Sequence, residues 1–136
     1  MKSELDDKLC KDFPKLFRNR YVAPEQTCMY WGFEVSDSWE PLIRECAAKL
    51  EAINNKIEDP NNHIVASQVK SKFGGLRFYL ESYPTEYDAE VSAAIAMAEN
   101  KADETCENCG QPGSSAGSKG WIHTLCVTCR EERNKK

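Results

Sequence analysis

The residues with the clearest chemistry are two cysteine pairs near the end of the chain, Cys106-Glu107-Asn108-Cys109 followed by Gly110, and Cys126-Val127-Thr128-Cys129, with sixteen residues between them. A Cys-x-x-Cys segment can curl into a knuckle that aims both sulfurs at one point, and two knuckles supply the tetrahedral four-thiolate set that Zn²⁺ takes in structural sites. Gly110 suits the first knuckle, because the residue after its second cysteine needs a positive φ that glycine adopts cheaply. The spacing predicts one structural zinc held by Cys106, Cys109, Cys126 and Cys129. Metal catalysis needs an open coordination position, and a four-cysteine shell leaves none. His123 is a donor by type, but its expected role is that of a packing or hydrogen-bonding neighbour.

The other candidate reactive groups lack partners in the sequence. Cys10, Cys28 and Cys46 complete an odd total of seven cysteines, which fits metal ligands plus free thiols in a reducing compartment better than a disulfide framework. A thiol nucleophile needs a positioned base, and the chain offers only His63 and His123. Cys46 falls on an apolar helix face and reads as a small buried hydrophobe. Gly74-Gly75 lacks the lysine, serine and helix of a phosphate loop. Glu34 and Asp37 read as solvated or capping acids. The chain is therefore expected not to be an enzyme.

Composition narrows the setting. With 136 residues, 40% of them hydrophobic, the chain has enough apolar material for one core. No run approaches the roughly 20 apolar residues of a membrane span, and residues 1–7 lack the apolar stretch of a secretory signal, so a cytoplasmic protein is expected. A formal charge of −4 argues against nonspecific coating of nucleic acid, which relies on clustered lysine and arginine.

Hydrophobic periodicity predicts the elements that must position these groups. Leu5, Leu9 and Phe13 mark a helix near 3–13, interrupted by Pro14. Residues 18–36 form an irregular aromatic segment with a short strand near 29–35. Leu42, Cys46, Leu50, Ile53 and Ile57 mark a helix over 39–57, capped by Asp37 or Ser38 with Pro41 in its first turn and ended by 59–62. A hairpin is expected near 64–81, with Leu76, Phe78 and Leu80 on one face and Gly74 or Gly75 at positive φ in the turn. Thr85 with Asp88 reads as a capping box for a helix over 86–102 that buries Tyr87, Val91, Ala94, Ile95 and Ala98. Residues 110–120 read as a flexible loop. The class is α+β: helices on a small antiparallel hairpin sheet over 1–104, with a four-cysteine zinc module over 105–136.

Two resemblances follow. The knuckle, a strand-like Gly120-Trp121-Ile122-His123-Thr124-Leu125 and a second pair opening a charged tail resemble a treble-clef or zinc-ribbon finger; in a treble clef the second pair begins a helix. Such modules serve nucleic-acid binding, protein contacts and structure alike, so the resemblance implies no function by itself. Over most of the chain, Trp31-Gly32-Phe33-Glu34 with Asp37 and Trp39, then Lys72-Phe73-Gly74-Gly75-Leu76-Arg77-Phe78-Tyr79, then the cysteine pairs with Gly120-Trp121 and Thr124-Leu125, resemble a group of small uncharacterised proteins encoded in phage and bacterial genomes. That resemblance implies a phage or mobile-element origin and a bacterial host cytoplasm.

Partner-binding candidates are of two kinds. Trp31, Phe33 and Trp39 could form an aromatic anchor set, since aromatics dominate binding hot spots, although core packing is their plainer role. Lys72, Gly74, Gly75 and Arg77 could form a basic tip, although a solvated hairpin is the plainer reading. The leading expectation is a non-enzymatic interaction protein that binds, and inhibits, a host or viral protein. The alternative is a nucleic-acid-associated zinc protein using Lys72, Arg77 and the tail cations Arg130, Arg133, Lys135 and Lys136. A concentrated basic face in the folded chain would favour the alternative, and an exposed aromatic patch a protein partner.

Overall fold

The computed structural model describes residues 1–22, 27–117 and 122–134. Helix α1 (Ser3–Asp12) is followed by a 3-10 turn (Cys28–Trp31), strand β1 (Phe33–Glu34), helix α2 (Glu40–Asn54), strands β2 (Ala66–Lys72) and β3 (Gly75–Leu80), and helix α3 (Asp88–Ala102). The cysteine-bearing end adds strands β4 (Ser114–Ala116) and β5 (His123–Leu125) and helix α4 (Val127–Asn134). The α+β class read from the sequence holds. Among the described residues no helix is long and apolar enough to cross a membrane.

The first sheet has the order β1-β2-β3. Strands β2 and β3 form the expected antiparallel hairpin, while β1 runs parallel to β2 with Phe33 opposite Val69 and Glu34 opposite Lys70, so the sheet is mixed. The inward residues Phe33, Val69, Leu76 and Phe78 pack into one core with Ile43, Cys46, Ala47, Leu50 and Ile53 of α2 and Val91, Ala94 and Ala98 of α3. Each large side chain buried there contributes about 1.5–3 kcal/mol. Phe17 meets the ring of Phe33 edge-on at 4.8 Å and draws the irregular segment onto the same core.

Buried polar groups fix that segment. The Asp6 carboxylate accepts from Arg20 Nε at 2.8 Å, and Glu51 accepts the backbone N–H groups of Lys15 and Leu16 at 2.9 and 3.0 Å. Asn54 exchanges hydrogen bonds with the backbone of Ile64, accepting from its N–H at 2.6 Å and donating to its carbonyl at 2.9 Å. This exchange marks the end of α2 at Asn54, short of the predicted residue 57.

Several local expectations are corrected. Neither Asp37 nor Ser38 caps α2, because a 3-10 turn (Asp37–Trp39) precedes it and leaves Trp39 at the N-cap with no side-chain cap bond. Asp37 instead accepts the backbone N–H of Lys2 at 2.7 Å. Thr85 likewise opens a 3-10 turn (Thr85–Tyr87) and caps nothing; α3 starts at Asp88. Part of the supposed flexible loop is β4, which pairs with β5 through Ser114↔Leu125, Ser115↔Thr124 and Ala116↔His123. Gly120 and Trp121, expected in the strand before the second cysteine pair, lie outside the described residues.

The turn between β2 and β3 is formed by Phe73 and Gly74, at φ 54° and 77°. Positive φ at both central residues is the type I′ geometry that matches the twist of the flanking strands. Gly75 is the first residue of β3, paired with Lys72, and needs no special φ.

Candidate metal centre

After α3 the chain closes on itself through a bridge between Thr105 and Pro112, and the first cysteine pair lies inside that loop. Cys106 N–H donates to the Gln111 carbonyl at 2.7 Å, and Gly110 N–H donates to the Cys106 carbonyl at 2.9 Å. Gly110 takes φ 83°, as its place after the pair predicts. The second pair opens α4: Cys126 directly precedes the helix and Cys129 lies in its first turn, with Cys129 N–H donating to Cys126 Sγ at 3.4 Å. A second pair that begins a helix is the feature separating the treble-clef order from a zinc ribbon.

The four sulfurs of Cys106, Cys109, Cys126 and Cys129 all lie within 4.8 Å of one another. Cys109 Sγ and Cys126 Sγ are 3.7 Å apart, too far for a disulfide. A tetrahedral centre with zinc–sulfur bonds of about 2.3 Å has edges of about 3.8 Å, so this donor set fits such an ion. Cys106 and Cys129 are buried, Cys126 is half-buried and Cys109 faces solvent.

The electrostatics of the set are compatible with a bound cation. Burial opposes a thiolate at Cys106, but the backbone N–H groups of Cys126, Cys109 and Asn108 outweigh it and hold this thiol down to about 6. At Cys129 the Asn108 side-chain amide, 3.2 Å from the sulfur, favours the thiolate, yet the crowding sulfurs of Cys126, Cys109 and Cys106 push it up to about 12. One thiolate forms readily and resists the next. A divalent ion bound by all four as thiolates would release protons on binding.

Residues from the first sheet and the start of α2 hold this module in place. The Ser38 hydroxyl is shared between the carbonyls of Cys106, at 3.0 Å, and Glu107, at 2.5 Å, and Trp39 Nε1 donates to the Thr105 carbonyl at 2.9 Å. Glu107, between the two cysteines of the first knuckle, is buried. Its carboxylate accepts from Ser71 Oγ of β2 at 3.0 Å and from Thr124 N–H of β5 at 2.8 Å. Thr124 Oγ1 in turn donates to the Gly74 carbonyl at the hairpin tip, at 2.6 Å. A Cβ on Gly74 would stand 3.2 Å from Ile122 Cγ2, so this glycine serves close approach as well as the turn. His123 is not part of the sulfur cluster. Its Nδ1 lies 3.5 Å from Glu107 Oε2 and its Nε2 3.1 Å from Arg133 Nη2.

The residues singled out for partner binding separate. Trp31 is 66% exposed, with Tyr30 edge-on at 5.1 Å, whereas Phe33 at 3% and Trp39 at 0% belong to the core and cannot serve as exposed anchors. Lys72 is exposed and Arg77 half-buried, while Gly74 and Gly75 are both buried. Of the tail cations, Arg130 is bonded to the Ser114 carbonyl and Arg133 to His123, which leaves them tied into the module; Lys135 and Lys136 lie outside the described residues. Burial pushes the thiols of Cys10 and Cys46 up to about 12, so neither offers a ready thiolate.

Sequence reasoning missed Ser38, Ser71, Glu107, Asn108 and Thr124 as supports of the metal set. Nothing in their local sequence marks them, because each acts across the junction of two elements. No protein-family model matches the chain, and no curated protein or solved structure matches it either.

Proposed function

We propose that this chain is a non-enzymatic interaction protein stapled by one structural zinc. The observation that carries this reading is the set of four sulfurs, enough to fill a tetrahedral shell and held in place by backbone N–H groups and by Ser38, Trp39 and Glu107. The zinc supplies folding free energy to a segment whose buried apolar cluster, among the described residues, is Cys106, Leu125 and Cys129. The high thiol pKa values of Cys10 and Cys46, together with the engagement of the His63 ring by the Ile57 carbonyl at 2.8 Å, support a non-catalytic role.

Metal analysis of freshly purified protein should return one zinc per chain, and cobalt substitution should give the absorption of a tetrahedral tetrathiolate. A metal-free preparation with all seven thiols titratable, or a cobalt spectrum of fewer thiolates, would sink the assignment.

Two partner classes have support. A host or viral protein partner, with inhibition as the outcome, rests on Trp31, the exposed remainder of the aromatic set, and on the exposed Tyr30 beside it. A nucleic-acid partner is favoured by the basic outer face of the β2–β3 hairpin. Capture of a protein from nuclease-treated host lysate that is lost with Trp31→Ala would support the first.

A further inference from the structure

We infer that the outer face of the β2–β3 hairpin is a binding surface for single-stranded nucleic acid. This rests on the interaction-protein reading and specifies its partner. Because strand side chains alternate, the residues opposite the core-facing Val69, Leu76 and Phe78 share one outer face. The register sets Gln68 beside Tyr79, Lys70 beside Arg77 and Lys72 beside Gly75, with Phe73 at the tip. Tyr79 is 42% exposed and Phe73 55%.

Cations gather on this face. Lys70, Lys72 and Arg77 lie here on a chain of net charge −4, and among the described residues none of the three forms an ion pair. Carboxylates adjoin this face at two places: Glu34, opposite Lys70, takes the Gln68 amide at 3.5 Å, and Asp103 Oδ1 comes close to the Gly75 position beside Arg77 Nη1. The cations stand beside aromatic rings: Lys70 Nζ is 5.9 Å from the Tyr79 ring centre and Lys72 Nζ 5.5 Å from that of Phe73.

Two choices on this face are locally unfavourable. Lys70 and Arg77 are like charges directly opposite in an antiparallel pair, which destabilises the pairing. Phe73 takes φ 54° at a turn position where asparagine or glycine is at ease. Both conflicts are resolved by one ligand: phosphates neutralise the cations, and bases stack on the two rings. A sheet face that sets cations beside aromatic rings suits unstacked bases, whereas a closed duplex hides its base faces and would meet a protein of net negative charge. An acidic peptide would satisfy the cations but leave the rings without a role. The six residues of β3, Gly75–Leu80, span about 20 Å of strand, room for a short stretch of a few nucleotides.

The test uses the metal-loaded full chain and fluorescein-labelled twelve-nucleotide oligo-dT and oligo-U, read by anisotropy at low and at physiological salt. Oligonucleotide recovered intact after incubation, bound more tightly than a duplex of the same length and released by salt, is the expected result. Tyr79→Ala should weaken binding at least about fivefold, the loss of one stacked base. Lys70→Glu with Lys72→Glu should weaken it more than tenfold, while Lys56→Glu, on an exposed site remote in sequence from the hairpin, should leave it unchanged. Phe73→Asn should weaken binding while raising the melting temperature, a pairing that a merely structural residue would not give. Equal affinity for duplex, no binding at low salt, indifference to the hairpin variants, or equally tight binding of poly-glutamate would overturn the inference. In that event a captured protein partner leaves the interaction-protein reading standing, whereas cleavage or modification of the oligonucleotide would remove it.

Discussion

Gly74 meets two demands that coincide in one residue: φ 77° in the turn, and a backbone against which Ile122 and His123 close. Gly75 meets neither, since a Cβ there would find Arg77 Nη1 at 3.4 Å and Asp103 Oδ1 at 3.6 Å, ordinary contact distances with flexible side-chain ends. Gly74→Val should therefore destabilise the fold by about 1–3 kcal/mol, and Gly75→Ala by much less, as measured by thermal melts of the two single variants. The sequence placed one of two glycines at positive φ in the turn but not which one, because that depends on the register, which places Lys72 opposite Gly75 and puts Phe73 and Gly74 at the tip. Cys46 carries a second residue-level expectation. Burial pushes its thiol from an ordinary 9.0 up to about 12. Between those values the unfolded chain ionises this group and the folded chain does not, so its contribution is complete below about pH 9 and lost as pH rises toward 12. Urea melts at neutral and alkaline pH should show a shallower alkaline decline for Cys46→Ala than for the parent chain.

At the scale of elements, what was legible is what has a period. The stripe through Leu42, Cys46, Leu50 and Ile53 predicts the buried face of α2, and the alternation through Leu76 and Phe78 predicts that of β3. Strand β1 has two residues and therefore no period, and its parallel pairing with β2 is set by tertiary packing of Phe33. The start of α2 was misread for a related reason. Serine and aspartate before a helix read as caps, but a 3-10 turn moves both out of capping position and frees Ser38 to bind the knuckle carbonyls. The junction of α2 with the cysteine module is thus written in residues that look generic. Ser38→Ala removes that hydroxyl and should lower stability by about 1 kcal/mol, a shift of about 3–5 °C in melting temperature, while metal stoichiometry stays at its parent value. An unchanged melting temperature would mean that water replaces the hydroxyl without loss.

Across the whole molecule, the metal set and the hairpin surface are joined by a short polar chain that runs from Glu107 to Ser71 on one side and through Thr124 to Gly74 on the other. The large core depends on neither link, because its buried side chains come from α1, the sheet, α2 and α3. Removing the metal should therefore act in a graded way. The cysteine module loses its fold, since its own buried apolar cluster is three residues among those described, and the hairpin tip loses the two hydrogen bonds that pin it. Hydrogen exchange after chelation should show fast amides through β4, β5 and α4, intermediate loss of protection around Ser71–Leu76, and retained protection along α2, where Ile43 and Leu50 are fully buried. Uniform loss of protection everywhere would instead mean that module and core unfold as one cooperative unit, with Trp39 and its bond to Thr105 as the place where the failure passes from one to the other.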